Sequence, residues 1–123
     1  MARKILLIED NQYIKELYKE VLQNAGYEVD IADDGISGVD KIQKGGYDLI
    51  LLDMVMPKSG GLGVIKAASQ NPPTTKNGPI ILLTNLTKDH LVEQALSKGA
   101  SSYIVKSDIT PGQLIENVKK YLK

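Results

Sequence analysis

The 123-residue chain is predicted to be an α/β protein, a doubly wound parallel five-stranded sheet built as (βα)5. Three observations predict it. Short apolar runs of strand length alternate along the whole chain with segments whose apolar residues recur at helical spacing. The runs are apolar throughout rather than alternating, as expected for strands covered on both faces by crossover helices. Glycine or proline stands at most of the junctions between the two kinds of segment.

Ile5-Leu6-Leu7-Ile8 is the first strand. From Asn11 the apolar positions Ile14, Leu17, Tyr18, Val21, Leu22 and Ala25 fall on one face of a helix that Gly26 closes. Tyr27 to Ala32 alternates weakly and reads as strand 2, and Gly35 to Lys44 is a helix carrying Ile36, Val39 and Ile42 and stopping at Gly45-Gly46. Leu49-Ile50-Leu51-Leu52 is strand 3, ending on Asp53. After it comes a breaker-rich loop, Met54 to Gly61, and a short helix through about Ser69. Asn71 to Pro79 has no period and many breakers, and reads as a surface loop that fills space. Ile80-Ile81-Leu82-Leu83 is strand 4, Lys88 to Lys98 a helix stopped by Gly99, and Tyr103-Ile104-Val105 strand 5. Thr110 as N-cap, Pro111 at the first position and Gln113 three residues after the cap mark the start of the last helix, which carries Leu114, Val118, Tyr121 and Leu122 on one face.

Composition narrows the function. A chain of this length buries about two-thirds of its unfolded surface in one core, so residues 1–123 are expected to form one domain. Fifteen basic and fifteen acidic residues cancel, and no basic block exceeds Arg3-Lys4 or Lys119-Lys120, which disfavours direct binding of nucleic acid. Cysteine is absent, which removes disulfides, thiolate metal sites and cysteine nucleophiles and fits a reducing compartment. The segment Met1-Ala-Arg-Lys leads into an apolar run too short for a signal peptide or a membrane span, so the expectation is a cytoplasmic protein with no membrane partner.

Four of the five strands share one further property: their apolar runs each end on a chemically capable residue. Glu9-Asp10 follow strand 1, Asp53 strand 3, Thr84 strand 4 and Lys106 strand 5. In a parallel sheet these ends lie on one edge. The common order for five strands, 2-1-3-4-5, reverses between strands 1 and 3, where ligands bind and where the three acids fall. Three carboxylates so close repel unless a cation sits among them. All-oxygen donors, no cysteine and a single distant histidine, His90, select Mg2+, with Mn2+ able to replace it. Magnesium at a strand end bridges to phosphate, so the expected substrate is a phosphoryl group. Asp53 is the candidate nucleophile, Lys106 offsets charge on a phosphoryl oxygen and the Thr84 hydroxyl donates to another.

With these residues in order, the whole chain resembles the receiver domain of two-component response regulators, the chemotaxis-regulator-like form of the flavodoxin-like fold. The resemblance rests on Glu9-Asp10, on Asp53 within Leu-Leu-Asp-Met-Val-Met-Pro, on Thr84, and on Lys106 with Tyr103 three residues before it. It implies that Asp53 accepts phosphate from a sensor histidine kinase or a histidine phosphotransfer protein. It also implies that Asp10, Asp53 and the backbone carbonyl of Val55 bind Mg2+, with Glu9 acting directly or through water. Thr84 and Tyr103 would be the switch residues that remodel a face made by helix 4, strand 5 and helix 5. That face would meet a downstream protein, in a monomer or a phosphorylation-dependent dimer. Such a module is not an enzyme toward outside substrates; it catalyses only its own phosphorylation and dephosphorylation.

Four positions depart from the common pattern. Ser107 replaces the proline that usually follows the lysine, which leaves open whether that peptide is cis. Asn85 stands where a very small residue is usual, and either narrows access to Asp53 or adds a hydrogen bond. Val55 and Leu86 are apolar where the family often carries polar groups that orient the hydrolytic water, so the acyl phosphate is expected to be comparatively long-lived. Among other readings, a degenerate receiver serving as a scaffold usually lacks an acid or the lysine. An aspartate-nucleophile phosphatase of the haloacid-dehalogenase type needs a second Asp where Val55 stands. A flavodoxin-type carrier needs a Gly-rich phosphate loop after strand 1.

Overall fold

The computed structural model describes residues 2–56, 60–70, 73–85 and 90–122. The strands are β1 (Lys4–Ile8), β2 (Glu28–Ala32), β3 (Leu49–Asp53), β4 (Ile80–Thr84) and β5 (Ser102–Val105). The helices are α1 (Gln12–Asn24), α2 (Gly35–Lys44), α3 (Gly61–Gln70), α4 (His90–Ser97) and α5 (Pro111–Tyr121). All neighbouring strands are parallel, in the order β2-β1-β3-β4-β5. This is the expected doubly wound arrangement. The predicted start of the fourth helix at Lys88 lies outside the described residues, as do Pro57, Pro72 and Leu86.

Alternation along the strands divides the core in two, because successive side chains of a strand point to opposite faces. Leu6, Ile8, Ile50, Leu52 and Leu82 meet Ile42 of α2, Val64 and Ile65 of α3, and Val92 and Ala95 of α4. Ile5, Leu7, Leu49, Leu51, Ile81 and Leu83 meet Tyr18 and Leu22 of α1 and Leu114 and Val118 of α5. Two helices therefore cover one face and three the other, which is why Ile5 to Ile8 and Leu49 to Leu52 are fully buried without any polar alternation. Burial on this scale is worth ~1.5–3 kcal/mol for each large aliphatic side chain.

The caps follow local chemistry. The Asn11 side chain accepts from the Ile14 amide at the start of α1, and Asp34 from the Ser37 amide at the start of α2. Thr110 and Gln113 form the complete capping box of α5, with Pro111 in its first turn. Gly26, at φ 98°, ends α1 in a backbone conformation that other residues rarely adopt.

The segment before β4 corrects one expectation. Rather than filling space, residues 74–79 are bound into the fold. The Thr74 amide donates to Gln43 O at 2.9 Å and the Gly78 amide to Tyr47 O at 2.7 Å. The Asn77 side chain accepts from the Tyr47 amide at 3.1 Å and donates to Ile42 O at 2.9 Å. Gly78 approaches β3 so closely that a Cβ there would lie 1.8 Å from Asp48 O. The segment thus couples the end of α2 to the starts of β3 and β4.

Candidate functional site

The carboxyl edge of the sheet gathers the residues that the strand ends placed there. Glu9 directly follows β1, and its amide donates to Ala32 O at 3.1 Å, continuing the β1–β2 ladder by one residue. Asp53 closes β3, and the next amide, of Met54, donates to Leu83 O at 3.0 Å, which fixes the Asp53 backbone against β4. Gly61 opens α3 directly over this turn; a Cβ there would lie 2.9 Å from Asp53 O. Thr84 closes β4 opposite Val105, and Lys106 follows β5 in a short 3-10 turn. Glu9, Asp53 and Thr84 are buried, whereas Asp10 is exposed.

Carboxylate oxygens of Glu9, Asp10 and Asp53 lie within 4.8 Å of one another. At that separation each ionised pair repels by ~3.5 kcal/mol at an effective dielectric of ~20. The Lys106 Nζ stands among them, 3.2 Å from Asp53 Oδ1 and 3.4 Å from Glu9 Oε2. Two backbone amides add partial positive charge: Val55 N–H donates to Asp53 Oδ1 at 3.3 Å, and Asn11 N–H to Glu9 Oε1 at 3.2 Å.

Among the described residues, one ammonium faces three carboxylates, an incomplete balance of charge. Burial, then the hydrogen bond and charge of Asp53, push the Glu9 pKa from 4.5 up to about 7, in spite of Lys106 and the Asn11 amide. Burial opposes the charge on Lys106, but Asp53 and Glu9 together outweigh it and raise the ammonium pKa. The group fits a hard divalent cation: its donors are all carboxylate oxygens, and its surplus negative charge is what such an ion neutralises.

A cavity of about 510 Å³ opens over this group. Thr84 and Lys106 line it together with the acids, and Asn11, Val55 and Asn85 complete its wall. Asn85 is exposed at this wall, and the Val55 side chain, 75% exposed, brings an apolar surface to it. The Lys106–Ser107 peptide is trans. Tyr103 lies on β5 in register with Leu82, half-exposed and away from the acids' cavity. His90 opens α4 on the surface, with its ring Nε2 2.7 Å from Gln94 Nε2.

Two features of the site were not anticipated from the sequence. Asn11, rather than Glu9 or Asp10, caps α1. That frees both acids for the cavity, and a polar cap residue directly after an acidic pair is the signal that would have shown it. The amides of Asn11 and Val55 also serve as donors to the carboxylates, a property of backbone path that side-chain identity does not reveal.

A model of the response regulator receiver domain matches residues 5–119. The chain belongs to the response regulator receiver family. This receiver domain is 32% identical over 123 residues to the chemotaxis protein CheY of Treponema pallidum, covering 98% of this chain and 83% of that protein. It is 39% identical over 103 residues to the transcriptional regulatory protein DltR of Streptococcus agalactiae, covering 84% of this chain but 45% of the relative, so it spans less than half of that regulator's length. Among solved structures, chemotaxis protein CheY4 of Vibrio cholerae superposes with a TM-score of 0.85 at 30% identity, over 99% of this chain and 100% of that one. A CheY-like receiver domain protein from Methanospirillum hungatei gives 0.85 at 29% identity, over 99% and 94%. Receiver domains are signalling modules that bind Mg2+ at an acidic pocket and meet histidine kinases and downstream partners. Among the described residues of this one, no helix is long and apolar enough to cross a membrane.

Proposed function

We propose that this receiver domain takes a phosphoryl group from phosphohistidine, on a sensor histidine kinase or a histidine phosphotransfer protein, onto Asp53. The observation that carries the reading is the Lys106 ammonium 3.2 Å from Asp53, within a group of three carboxylates. Asp53 Oδ1 already accepts from Lys106 and from the Val55 amide, which leaves Oδ2 to attack. An Oδ2–P bond forms, the P–N bond breaks, and the imidazole leaves with its electron pair and takes a proton from solvent. Lys106 follows the charge onto one phosphoryl oxygen, and the Thr84 hydroxyl, at the end of the neighbouring strand, donates to another.

Glu9, Asp10, Asp53 and the Val55 backbone carbonyl would hold Mg2+, with Mn2+ as a substitute; when bound, the ion supplies the positive charge that the acids and the phosphoryl oxygens require. The phosphoryl group then draws Thr84 toward it and lets the Tyr103 ring turn inward. This changes the α4-β5-α5 face presented to a downstream protein in the cytoplasm, with the domain remaining monomeric or dimerising on phosphorylation. Residues 1–123 act as one receiver unit. Val55 occupies the position where a phosphatase of this chemistry needs a second aspartate, which favours the acceptor over an enzyme that turns over external esters.

The test is to incubate the protein with Mg2+ and acetyl phosphate or beryllofluoride and follow it by intact mass and NMR. A single adduct on Asp53, absent in Asp53→Asn and absent with EDTA, is expected. Because Asn85 stands at the cavity wall, a phosphorylated histidine donor is the second arm. No modification by either donor would overturn the reading in favour of a scaffold, and steady release of phosphate from many esters would overturn it in favour of a hydrolase.

A further inference from the structure

A second cavity lies at the opposite edge of the sheet from the acids, where β4 begins and α2, α3 and α4 end. Its volume is about 270 Å³. Its apolar wall comes from Ile42 near the end of α2, Ile65 and Ala68 on α3, and Ile80 at the start of β4. The remaining polar side chains around it are occupied elsewhere: Ser69 Oγ donates to Lys66 O, and Asn77 is committed to the backbone of Tyr47 and Ile42. An apolar cavity of this kind gives water few partners and accepts apolar groups instead.

Charge selects the occupant further. Among the described residues the cavity is lined by two lysines, Lys76 and Lys98, and by no acidic residue. Both are exposed, and neither takes part in an ion pair among the described residues. Lysine stems that line apolar surface carry their ammonium groups out to water, so cationic charge stands beside an apolar hollow. A cavity of about 150 Å³ accommodates benzene, and sites for drug-sized molecules begin near about 300 Å³. The hollow therefore suits a single ring with a short anionic arm.

We propose that this cavity is a binding site for a small aromatic carboxylate, with the ring between α3 and β4 and the carboxylate between Lys76 and Lys98. It is separate from the acid group around Asp53 in residues, in charge and in its edge of the sheet, and the proposal stands whether or not Asp53 is phosphorylated.

The test is an NMR titration of the 15N-labelled 123-residue chain with phenylacetate, in parallel with its neutral amide, phenylacetamide. Saturable shifts are expected at Ile42, Ala68, Gly78, Ile80 and Gly99, with half-saturation on the order of 1 mM, typical of so few ligand atoms. Lys76→Gln and Lys98→Gln should each weaken binding about threefold, the size expected of an exposed charge pair, and the amide should bind more weakly than the acid. Ala68→Leu, which fills the hollow from α3, should abolish the shifts; its own spectrum reports whether the fold is kept. Shifts that grow linearly with ligand, shifts scattered over other lysines, equal binding of the amide, or full affinity in Lys76→Gln/Lys98→Gln would overturn the proposal.

Discussion

Replacing Glu9 by Gln should stabilise the metal-free protein at alkaline pH, although it alters a fully buried residue of the site. The side chain keeps its shape, and what changes is the charge that the crowded acids resist. Lifting this carboxyl from 4.5 to about 7 corresponds to ~3 kcal/mol of folding free energy, at ~1.4 kcal/mol for each tenfold change in acidity. A folded-state pKa above the unfolded value means that the contribution is fully present below about pH 4.5 and is lost as pH rises through about 7. Wild type should therefore lose stability across that window in EDTA, and Glu9→Gln should not. Local relaxation of Asp53 and Lys106 lowers the ceiling, so a gain of ~1–3 kcal/mol for the variant at pH 8 is expected, or about 4–12 °C in Tm. The assay is urea unfolding by circular dichroism at pH 5, 6.5 and 8 with EDTA. Adding Mg2+ should stabilise wild type more than the variant, because the ion removes the repulsion that the amide no longer feels. Equal or lower stability of Glu9→Gln at pH 8, or parallel pH curves for the two proteins, would refute the reasoning.

Lys106→Gln removes the one ammonium that, among the described residues, lies within reach of Asp53 and Glu9, and should slow phosphorylation by acetyl phosphate by about 10²-fold or more, read by intact mass against time. The phosphorylated wild type should keep its label well beyond seconds at neutral pH, and Val55→Asn, which puts a polar group at the cavity wall, should shorten that lifetime by about tenfold or more. Gly78→Ala should cost ~3 kcal/mol or more in urea unfolding, because its Cβ would meet the backbone oxygen of Asp48 rather than a movable side chain. Burial opposes ionisation of Asp30, but hydrogen bonds from Lys41 and Tyr47, the Lys41 charge and the Ile31 amide outweigh it and lower its pKa. Its stabilisation is thus present above the ordinary aspartate range and lost as pH falls through the lowered value, and Asp30→Asn should flatten the acid limb of a Tm-against-pH curve.

The strand runs, their buried character and their terminal residues were legible because a strand buried on both faces leaves an unbroken apolar signal of fixed length. The Thr110-Pro111-Gln113 start of α5 was equally plain, since a capping box is closed within four residues. Asn77 and Gly78 were not. Their partners are the backbone of Ile42, Tyr47 and Asp48, about thirty positions away, and nothing local distinguishes an amide that binds distant backbone from one in an open loop. The cap of α1 was not legible for a related reason: Asp10 and Asn11 are adjacent, both are acceptable helix caps, and only the backbone path decides between them.

By itself the sequence determined the βα alternation, the acids, hydroxyl and lysine at the strand ends, and hence the class of chemistry, since these follow from residue type and short-range period. The tertiary structure decided how far the acids crowd, which oxygen Lys106 and the Val55 amide engage, that Glu9 is pushed up to about 7, and that a lysine-rimmed hollow opens at the far edge of the sheet. Those properties depend on distances between residues remote in the chain, and a distance of that kind exists only once the strands have paired.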